Sequence, residues 1–125
     1  MSAAASTVLV VDDDKNVCEI IKASLASGGY RSVTAGNGRE ALDYLKKAAE
    51  RPGLILLDLM MPEMTGWEFR RRQQEDPSIA DIPVAIITGL PGVGDKAASI
   101  GVVDVLYKPS RVETLSDLVS RFCGR

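Results

Sequence analysis

The chain has 125 residues and a formal net charge of −2, with 46% apolar and 26% charged residues, so we expect one globular domain with a substantial core. This charge does not favour a nucleic-acid-binding surface, and no apolar run reaches the roughly 20 residues of a membrane span. The absence of histidine excludes Ser-His-Asp and Cys-His catalysis. Because Cys18 and Cys123 form no CxxC pattern, we expect both to be reduced in a cytoplasmic protein.

The first predicted elements follow a short N-terminal segment. Residues 1–6 lack the regions of a signal peptide, and we expect a flexible tail before a domain spanning residues 7–125. Residues 7–11 are predicted as a strand. The next helix has Asp14 or Asn16 as its cap and ends at Gly28. Its predicted inner residues are Val17, Ile20, Ile21 and Leu25.

A second strand and helix precede the most informative run of the sequence. The strand is predicted at residues 30–35, and Asn37 caps a helix whose inner face comprises Ala41, Leu42, Leu45 and Ala49. The run of residues 54–57, Leu-Ile-Leu-Leu, does not alternate and is typical of a strand buried on both faces. It ends in Asp58. The next helix can begin only near Gly66, so Asp58 is too far away to cap it.

The third helix, predicted at residues 67–75, has a weak apolar face because it contains Arg70, Arg71 and Arg72. We interpret this arginine run as a solvated helix face, with a docking surface as the alternative. The fourth strand, residues 84–87, ends in Thr88.

A glycine-rich loop then leaves room for only a short fourth helix at residues 95–100. The fifth strand, residues 102–107, ends in Lys108-Pro109. A terminal helix is predicted from its apolar positions, which are Val112, Leu115, Leu118, Val119 and Phe122.

Polar residues at the strand ends predict a single site. Five strands alternating with five helices indicate an α/β three-layer sandwich, and the carboxyl ends of parallel strands lie at one edge. The side chains expected there are Asp12, Asp13, Asp58, Thr88 and Lys108. Three carboxylates and one ammonium leave a charge of −2, which one Mg²⁺ would balance. A carboxylate could then attack phosphorus and form an aspartyl phosphate, with the cations offsetting charge on the phosphoryl group.

Four motifs together resemble the receiver domain of two-component response regulators. They are Val10-Val11-Asp12-Asp13-Asp14, Leu57-Asp58-Leu59-Met60-Met61-Pro62-Glu63-Met64-Thr65-Gly66, Ile87-Thr88-Gly89 and Tyr107-Lys108-Pro109. The resemblance covers residues 7 to about 122. It implies a flavodoxin-like fold with a five-stranded parallel sheet in the order 2-1-3-4-5 and five flanking helices.

The resemblance also implies roles for individual residues. Asp58 would accept a phosphoryl group from the phosphohistidine of a histidine kinase or histidine phosphotransfer protein. Asp13 would bind Mg²⁺ directly and Asp12 largely through water, with Asp58 and the Met60 carbonyl completing the protein ligands. Thr88 and Lys108 would bind phosphoryl oxygens, with a cis bond between Lys108 and Pro109. The implied protein is a stand-alone or excised signalling receiver that assists its own phosphorylation and dephosphorylation. It would act on an unknown downstream protein.

Two positions depart from the family pattern. Val105 stands where a tyrosine or phenylalanine is usual, and Gly89 stands where alanine is usual. The interval from Thr88 to Lys108 is also slightly short. These departures leave the phosphorylation chemistry intact, but they predict a different readout, in which the 89–94 loop reorders and Tyr107 replaces the usual aromatic ring.

Three other interpretations compete with this one. Residues 92–97 fit a G-x-G-x-x-A dinucleotide fingerprint, but they follow the fourth strand and open a very short helix, so we interpret them as a flexible loop. A haloacid-dehalogenase-type phosphatase would need a second aspartate where Met60 stands. The remaining alternative is a phosphorylation-independent interaction module of the same fold.

Overall fold

The computed structural model describes residues 7–109 and 112–123. The predicted flexible tail, residues 1–6, lies outside the described residues. The strands are β1 (Val8–Val11), β2 (Ser32–Ala35), β3 (Leu54–Leu57), β4 (Val84–Thr88) and β5 (Asp104–Tyr107). The helices are α1 (Lys15–Ser27), α2 (Gly38–Lys47), α3 (Gly66–Gln74), α4 (Gly94–Ser99) and α5 (Val112–Cys123). The second and fifth strands each begin two residues later than predicted.

The sheet confirms the predicted fold. All strand pairs are parallel, and the order is β2-β1-β3-β4-β5. Strand β1 lies between β2 and β3, so Val8 is opposite both Ser32 and Leu54. At the other end of the same pairing Val11 is opposite Leu57. The residues that directly follow β1 and β3 are therefore neighbours at the carboxyl edge.

Two apolar layers cover the faces of the sheet and explain why β3 does not alternate. Ile55 and Leu57 pack with residues of α2, α3 and α4, whereas Leu54 and Leu56 pack with residues of α1 and α5. All four side chains are fully buried, and burial of each stabilises the fold by about 1.5–3 kcal/mol. The continuous apolar run follows from helices lying on both faces.

Helix ends follow the predicted capping residues. The Asp14 side chain accepts hydrogen bonds from the N–H groups of Asn16 and Val17, so Asp14 rather than Asn16 is the cap of α1. Asn37 caps α2, as predicted. Helix α2 ends at Lys47, however, so the prediction that Ala49 belongs to its inner face was wrong.

The prediction for the inner face of α1 was wrong at Ile20. This side chain is 66% exposed, and Cys18 is buried together with Ile21 and Leu25. Cys18, Ile21 and Leu25 follow one another at helical spacing, which places Ile20 to the side of the buried stripe. Cys18 behaves here as a small apolar residue.

The arginine run of α3 was interpreted correctly at two of its three positions. Arg71 and Arg72 are exposed and form ion pairs with Glu75 and Glu68. Arg70 is only 7% exposed. It lies inside because its guanidinium reaches the carbonyl groups that follow α4.

Both cysteines are buried and free, with no disulfide among the described residues. Burial raises the pKa of each thiol to about 11, so both remain protonated and unreactive at neutral pH. Among the helices of residues 7–109 and 112–123, none has the length and apolar character needed to cross a membrane.

Candidate functional site

Three carboxylates meet where β1 and β3 end. Asp12, Asp13 and Asp58 each present an oxygen, and these oxygens lie within 4.8 Å of one another. Asp12 and Asp58 are 1% and 5% exposed, and Asp13 faces solvent. The register of β1 with β3 produces this arrangement, because Asp12 and Asp58 each extend their strand by one residue. The predicted convergence of the three acids is therefore observed.

Lys108 brings a positive charge into the acidic cluster. It follows β5, and its backbone N–H donates to the Thr88 carbonyl over 2.8 Å. The Lys108 Nζ lies 2.6 Å from Asp12 Oδ2 and 3.7 Å from Asp58 Oδ1. The ammonium therefore pairs mainly with Asp12 and stands beside Asp58. The Lys108-Pro109 peptide bond is cis.

Thr88 ends β4 at the same edge and is fully buried. Its Oγ1 accepts a hydrogen bond from the Leu90 N–H over 3.1 Å. A hydroxyl that accepts one hydrogen bond still has its own proton to donate. Thr88 can therefore act as a donor towards the site while it remains bonded to the loop that follows β4.

The pKa of Asp58 is raised to about 6. Burial is the largest cause, followed by the negative charge of Asp12, because both disfavour the ionised carboxylate. Lys108 and the Met60 N–H partly offset this effect. Burial by itself would lower the pKa of Lys108, but its hydrogen bond to Asp12 and the charge of Asp58 raise it overall. Lys108 thus stays protonated.

The segment between β3 and α3 is held tightly against the phosphoacceptor candidate. The Met60 N–H points at Asp58 Oδ1 over 3.4 Å, and the Gly66 N–H donates to the Leu59 carbonyl over 3.0 Å. A Cβ atom on Gly66 would lie 2.4 Å from the Asp58 carbonyl oxygen. Gly66 therefore lets α3 begin in contact with the backbone that carries Asp58.

The sequence analysis missed this role of Gly66 and used the residue only to mark where the third helix can begin and as part of a family motif. A signal was available. A glycine at the start of a helix costs stability unless another requirement selects it, and here that requirement is close backbone contact.

The donor set fits a small hard cation. Mg²⁺ takes oxygen ligands at about 2.0–2.1 Å and usually combines one or two carboxylates with water and phosphate oxygens. Three carboxylates with oxygens within 4.8 Å of one another can converge on such an ion. Met60 lies at the exposed rim of the same loop. The direct, water-mediated and carbonyl ligand roles remain predictions.

Val105, which stands where the family usually has an aromatic residue, lies on the inner face of β5. Val105 is opposite Ile86 and packs on the layer formed with α2, α3 and α4. Tyr107, opposite Thr88, is 45% exposed and lies on the same face of the strand. Its predicted role as a replacement ring stays a prediction.

The fold and the site together define a class of protein, and comparison agrees. The sequence profile described as response regulator receiver domain matches residues 8–120. The chain belongs to this family, and it is a receiver domain of the kind that acts in two-component signalling.

Curated relatives carry the name response regulator MprA. The protein from Mycolicibacterium vanbaalenii is 38% identical over 110 residues, which cover 86% of this chain and 46% of that protein. The protein from Mycobacterium tuberculosis H37Rv is 37% identical over 110 residues, which again cover 86% of this chain and 46% of that protein. The chain spans about half the length of these curated relatives.

Solved structures agree over nearly the whole chain. The chemotaxis protein CheY4 of Vibrio cholerae is 31% identical with a TM-score of 0.84, covering 95% of this chain and 99% of that one. A sensor histidine kinase receiver domain from Pseudomonas aeruginosa PAO1 is 26% identical with a TM-score of 0.84, covering 98% and 100%. That structure is described with a magnesium ion coordinated in its active site cleft.

Proposed function

We propose that Asp58 accepts a phosphoryl group from the phosphohistidine of a histidine kinase or histidine phosphotransfer protein, and that the phosphorylated chain signals to a downstream protein by changing conformation. The observation that carries this proposal is the placement of the Asp58 carboxylate among two further carboxylates and one ammonium. Such a cluster costs stability unless a cation and a phosphoryl group use it. Membership of the receiver family supports the same function.

The proposed reaction uses the residues of the site in distinct ways. An Asp58 carboxylate oxygen forms a bond to phosphorus while the bond from phosphorus to the donor's imidazole nitrogen breaks. Lys108, whose Nζ is 3.7 Å from Asp58 Oδ1, stabilises the negative charge of the phosphoryl oxygens. The Thr88 hydroxyl donates to one of those oxygens. Mg²⁺, held by Asp12, Asp13, Asp58 and the Met60 carbonyl, would neutralise further charge on the transferring group.

The same proposal extends to the bounds, the location and the mode of action of the domain. The receiver comprises residues 7–125 and works in the cytoplasm as a signalling domain that assists its own phosphorylation and dephosphorylation. It signals by protein contact, without binding nucleic acid directly or inserting into a membrane. A downstream protein reads the phosphorylated form.

Phosphorylation of the intact chain by acetyl phosphate tests the proposal against the phosphorylation-independent alternative. We expect mass spectrometry to show one added phosphoryl group in the presence of Mg²⁺ and none when EDTA is present. Asp58→Asn should abolish the addition, because the amide is not a nucleophile towards phosphorus. Asp43→Asn, at an exposed position of α2, is the matched control and should be labelled normally. Full labelling of Asp58→Asn, or no labelling of the native protein by either acetyl phosphate or a phosphorylated kinase, would refute the assignment.

A further inference from the structure

Helix α2 begins in contact with the loop that follows Asp58. A Cβ atom on Gly38, the first residue of α2, would lie 2.6 Å from Met64 Sδ and 3.0 Å from Met64 Cγ. Gly38 and Met64 are both buried. The Met64 side chain, which belongs to the loop between β3 and α3, therefore lies directly against the backbone at the start of α2.

Local structure gives no reason for a glycine at position 38. Its φ is not positive, and the helix that it begins is capped by Asn37, whose side chain accepts a hydrogen bond from the Glu40 N–H. Alanine is more favourable than glycine in a helix, so the local preference would be for a side chain. The close approach of Met64 is what requires the glycine.

Met60 lies in the part of this loop between Asp58 and Met64. Its side chain is 58% exposed, whereas the residues on either side of it, Leu59 and Met61, are buried in the apolar layer that also contains Met64. The Met60 N–H lies 3.4 Å from Asp58 Oδ1. Because the loop is short and is buried on both sides of Met60, a displacement of Met64 would move the Met60 backbone relative to the Asp58 carboxylate.

We propose that the contact between Met64 and Gly38 positions the Met60 backbone beside the Asp58 carboxylate and thereby sets the affinity of the site for Mg²⁺. The inference deepens the proposed function and rests on it, because the Met60 carbonyl is a ligand of the cation there. Gly38 and Met64 contact neither the cation nor the phosphoryl group in this mechanism, so both are positioning residues. Replacing residues that orient the groups around a metal typically changes affinity or activity by roughly 10–100-fold.

Nuclear magnetic resonance of the Gly38→Ala variant tests the inference. The added methyl group displaces Met64, so we expect the Met60 amide resonance to shift in EDTA, before any metal is added. The Kd for Mg²⁺, measured from amide shifts during a titration, should rise by about 10-fold or more. A Cβ atom on Gly36 would meet nothing within 4 Å. Gly36→Ala is therefore the matched control and should keep the native Met60 resonance and the native Kd.

A double variant tests whether the effect passes through Met64. Met64→Ala should itself weaken Mg²⁺ binding, because the loop loses its contact with α2. Met64→Ala also removes the Sδ and Cγ atoms that a methyl group at position 38 would meet. Gly38→Ala should therefore raise the Kd little further when it is combined with Met64→Ala, since effects of residues in contact are not additive. Full multiplication of the two single effects on the Kd would overturn the role of this contact.

Val119→Ala controls for a general loss of stability. Val119 is fully buried in α5, in the apolar layer on the opposite face of the sheet, and its truncation should destabilise the fold by leaving a cavity. We expect Val119→Ala to keep the native Kd for Mg²⁺, whereas Gly38→Ala loses affinity under conditions in which urea unfolding shows both variants to be folded. An equal loss of affinity in both variants would show that affinity follows stability, and would overturn the inference.

The outcomes separate the inference from the proposed function. Labelling of Asp58 by acetyl phosphate should persist in Gly38→Ala but should need more Mg²⁺ to reach half its maximal rate. A native Kd and a native Met60 resonance in Gly38→Ala would overturn the inference alone. If the native protein were not labelled, while Gly38→Ala still shifted the Met60 resonance and weakened Mg²⁺ binding, the proposed function would fail and the positioning role would stand.

Discussion

At the scale of single residues, the Asp58 carboxylate sits where its ionised form is disfavoured. Burial and the charge of Asp12 raise its pKa to about 6, although Lys108 stands 3.7 Å away. The Lys108 ammonium stabilises the charge of Asp58 less than that of Asp12, because its Nζ lies only 2.6 Å from Asp12 Oδ2. A bound cation would therefore favour the ionised form of Asp58.

The raised pKa predicts how stability depends on pH. An acid with a folded pKa near 6 and an ordinary value of 3.8 holds its proton more tightly in the folded state, so its ionisation costs stability. The contribution of Asp58 to stability should fall as pH rises from about 4 to about 6, and the cost should be complete above that range, at about 2–3 kcal/mol. Urea unfolding in EDTA should therefore show Asp58→Asn to be more stable than the native protein at pH 7 by about this amount and nearly equal to it at pH 4.

Two further urea-unfolding experiments test whether the charge of Asp58 causes the pH dependence. Added Mg²⁺ should stabilise the native protein at pH 7 and reduce its difference from Asp58→Asn, because a cation bound to the folded state offsets the charge. Asp43→Asn should follow the native pH dependence, since that side chain is exposed. Parallel stability curves for the native protein and Asp58→Asn from pH 4 to 8 would contradict the prediction.

At the scale of elements, the loop between β3 and α3 contains a strained turn. Glu63 has φ of 69°, and the Met64 N–H donates to the Pro62 carbonyl over 2.7 Å. This is a three-residue γ-turn with positive φ, a rare and strained form. The turn shortens the path from Asp58 to the start of α3, where Gly66 packs against the Asp58 backbone.

Glu63→Gly should relieve that strain and stabilise the protein. A non-glycine residue at positive φ costs about 1–3 kcal/mol, and the entropy that glycine loses on folding offsets part of the gain. We expect a net increase of roughly 1 kcal/mol in the free energy of unfolding, measured by urea denaturation. Glu63→Ala is the matched control. It removes the same charge but keeps the Cβ atom, and it should give no comparable gain; equal effects of the two substitutions would show that strain is not the cause.

At the scale of the whole molecule, an apolar groove lies beside the site. It has a volume of about 350 Å³. Its lining residues come from α1, α5, β4 and the segment after β5, and they are Val17, Ile20, Ile21, Ser24, Ile87, Lys108, Pro109 and Leu115. Because Lys108 belongs to both the groove and the site, a protein seated in the groove would lie beside the acidic cluster. We expect the phosphodonor protein to dock there.

The Ile20→Lys variant distinguishes binding of the donor protein in the groove from phosphoryl transfer to Asp58. Ile20 is 66% exposed, so the folded protein can accommodate the charge. A lysine should weaken an apolar contact with the donor, so transfer from a phosphorylated kinase should slow by about 10-fold or more, as expected for loss of roughly 1.5 kcal/mol of contact. Labelling by acetyl phosphate should be unchanged, since that donor needs no docking surface. Val103→Lys, at another exposed apolar position, is the control. Equal slowing with both donors would place the effect in the site instead.

The sequence was sufficient for the fold and for the composition of the site. Buried strands on both faces leave unbroken apolar runs, such as the one from Leu54 to Leu57, and the residues that follow those runs must meet at one edge of a parallel sheet. Asp12, Asp58 and Lys108 could therefore be brought together before any coordinates were known. The convergence at one edge depends only on local patterns and on α/β alternation. The strand order that places Asp12 beside Asp58 was implied by the resemblance to receiver domains.

Only the tertiary structure decided which side chains of a pattern actually face inward and which atoms meet. Arg70 is buried because the carbonyls of Ile100 and Gly101, 30 and 31 residues away in the sequence, come within reach of its guanidinium. Ile20 is exposed because α1 turns Cys18 inward instead. Gly66 is required because two backbone segments come closer than a Cβ atom allows. Each of these outcomes depends on distances between elements, which periodicity along one element cannot specify.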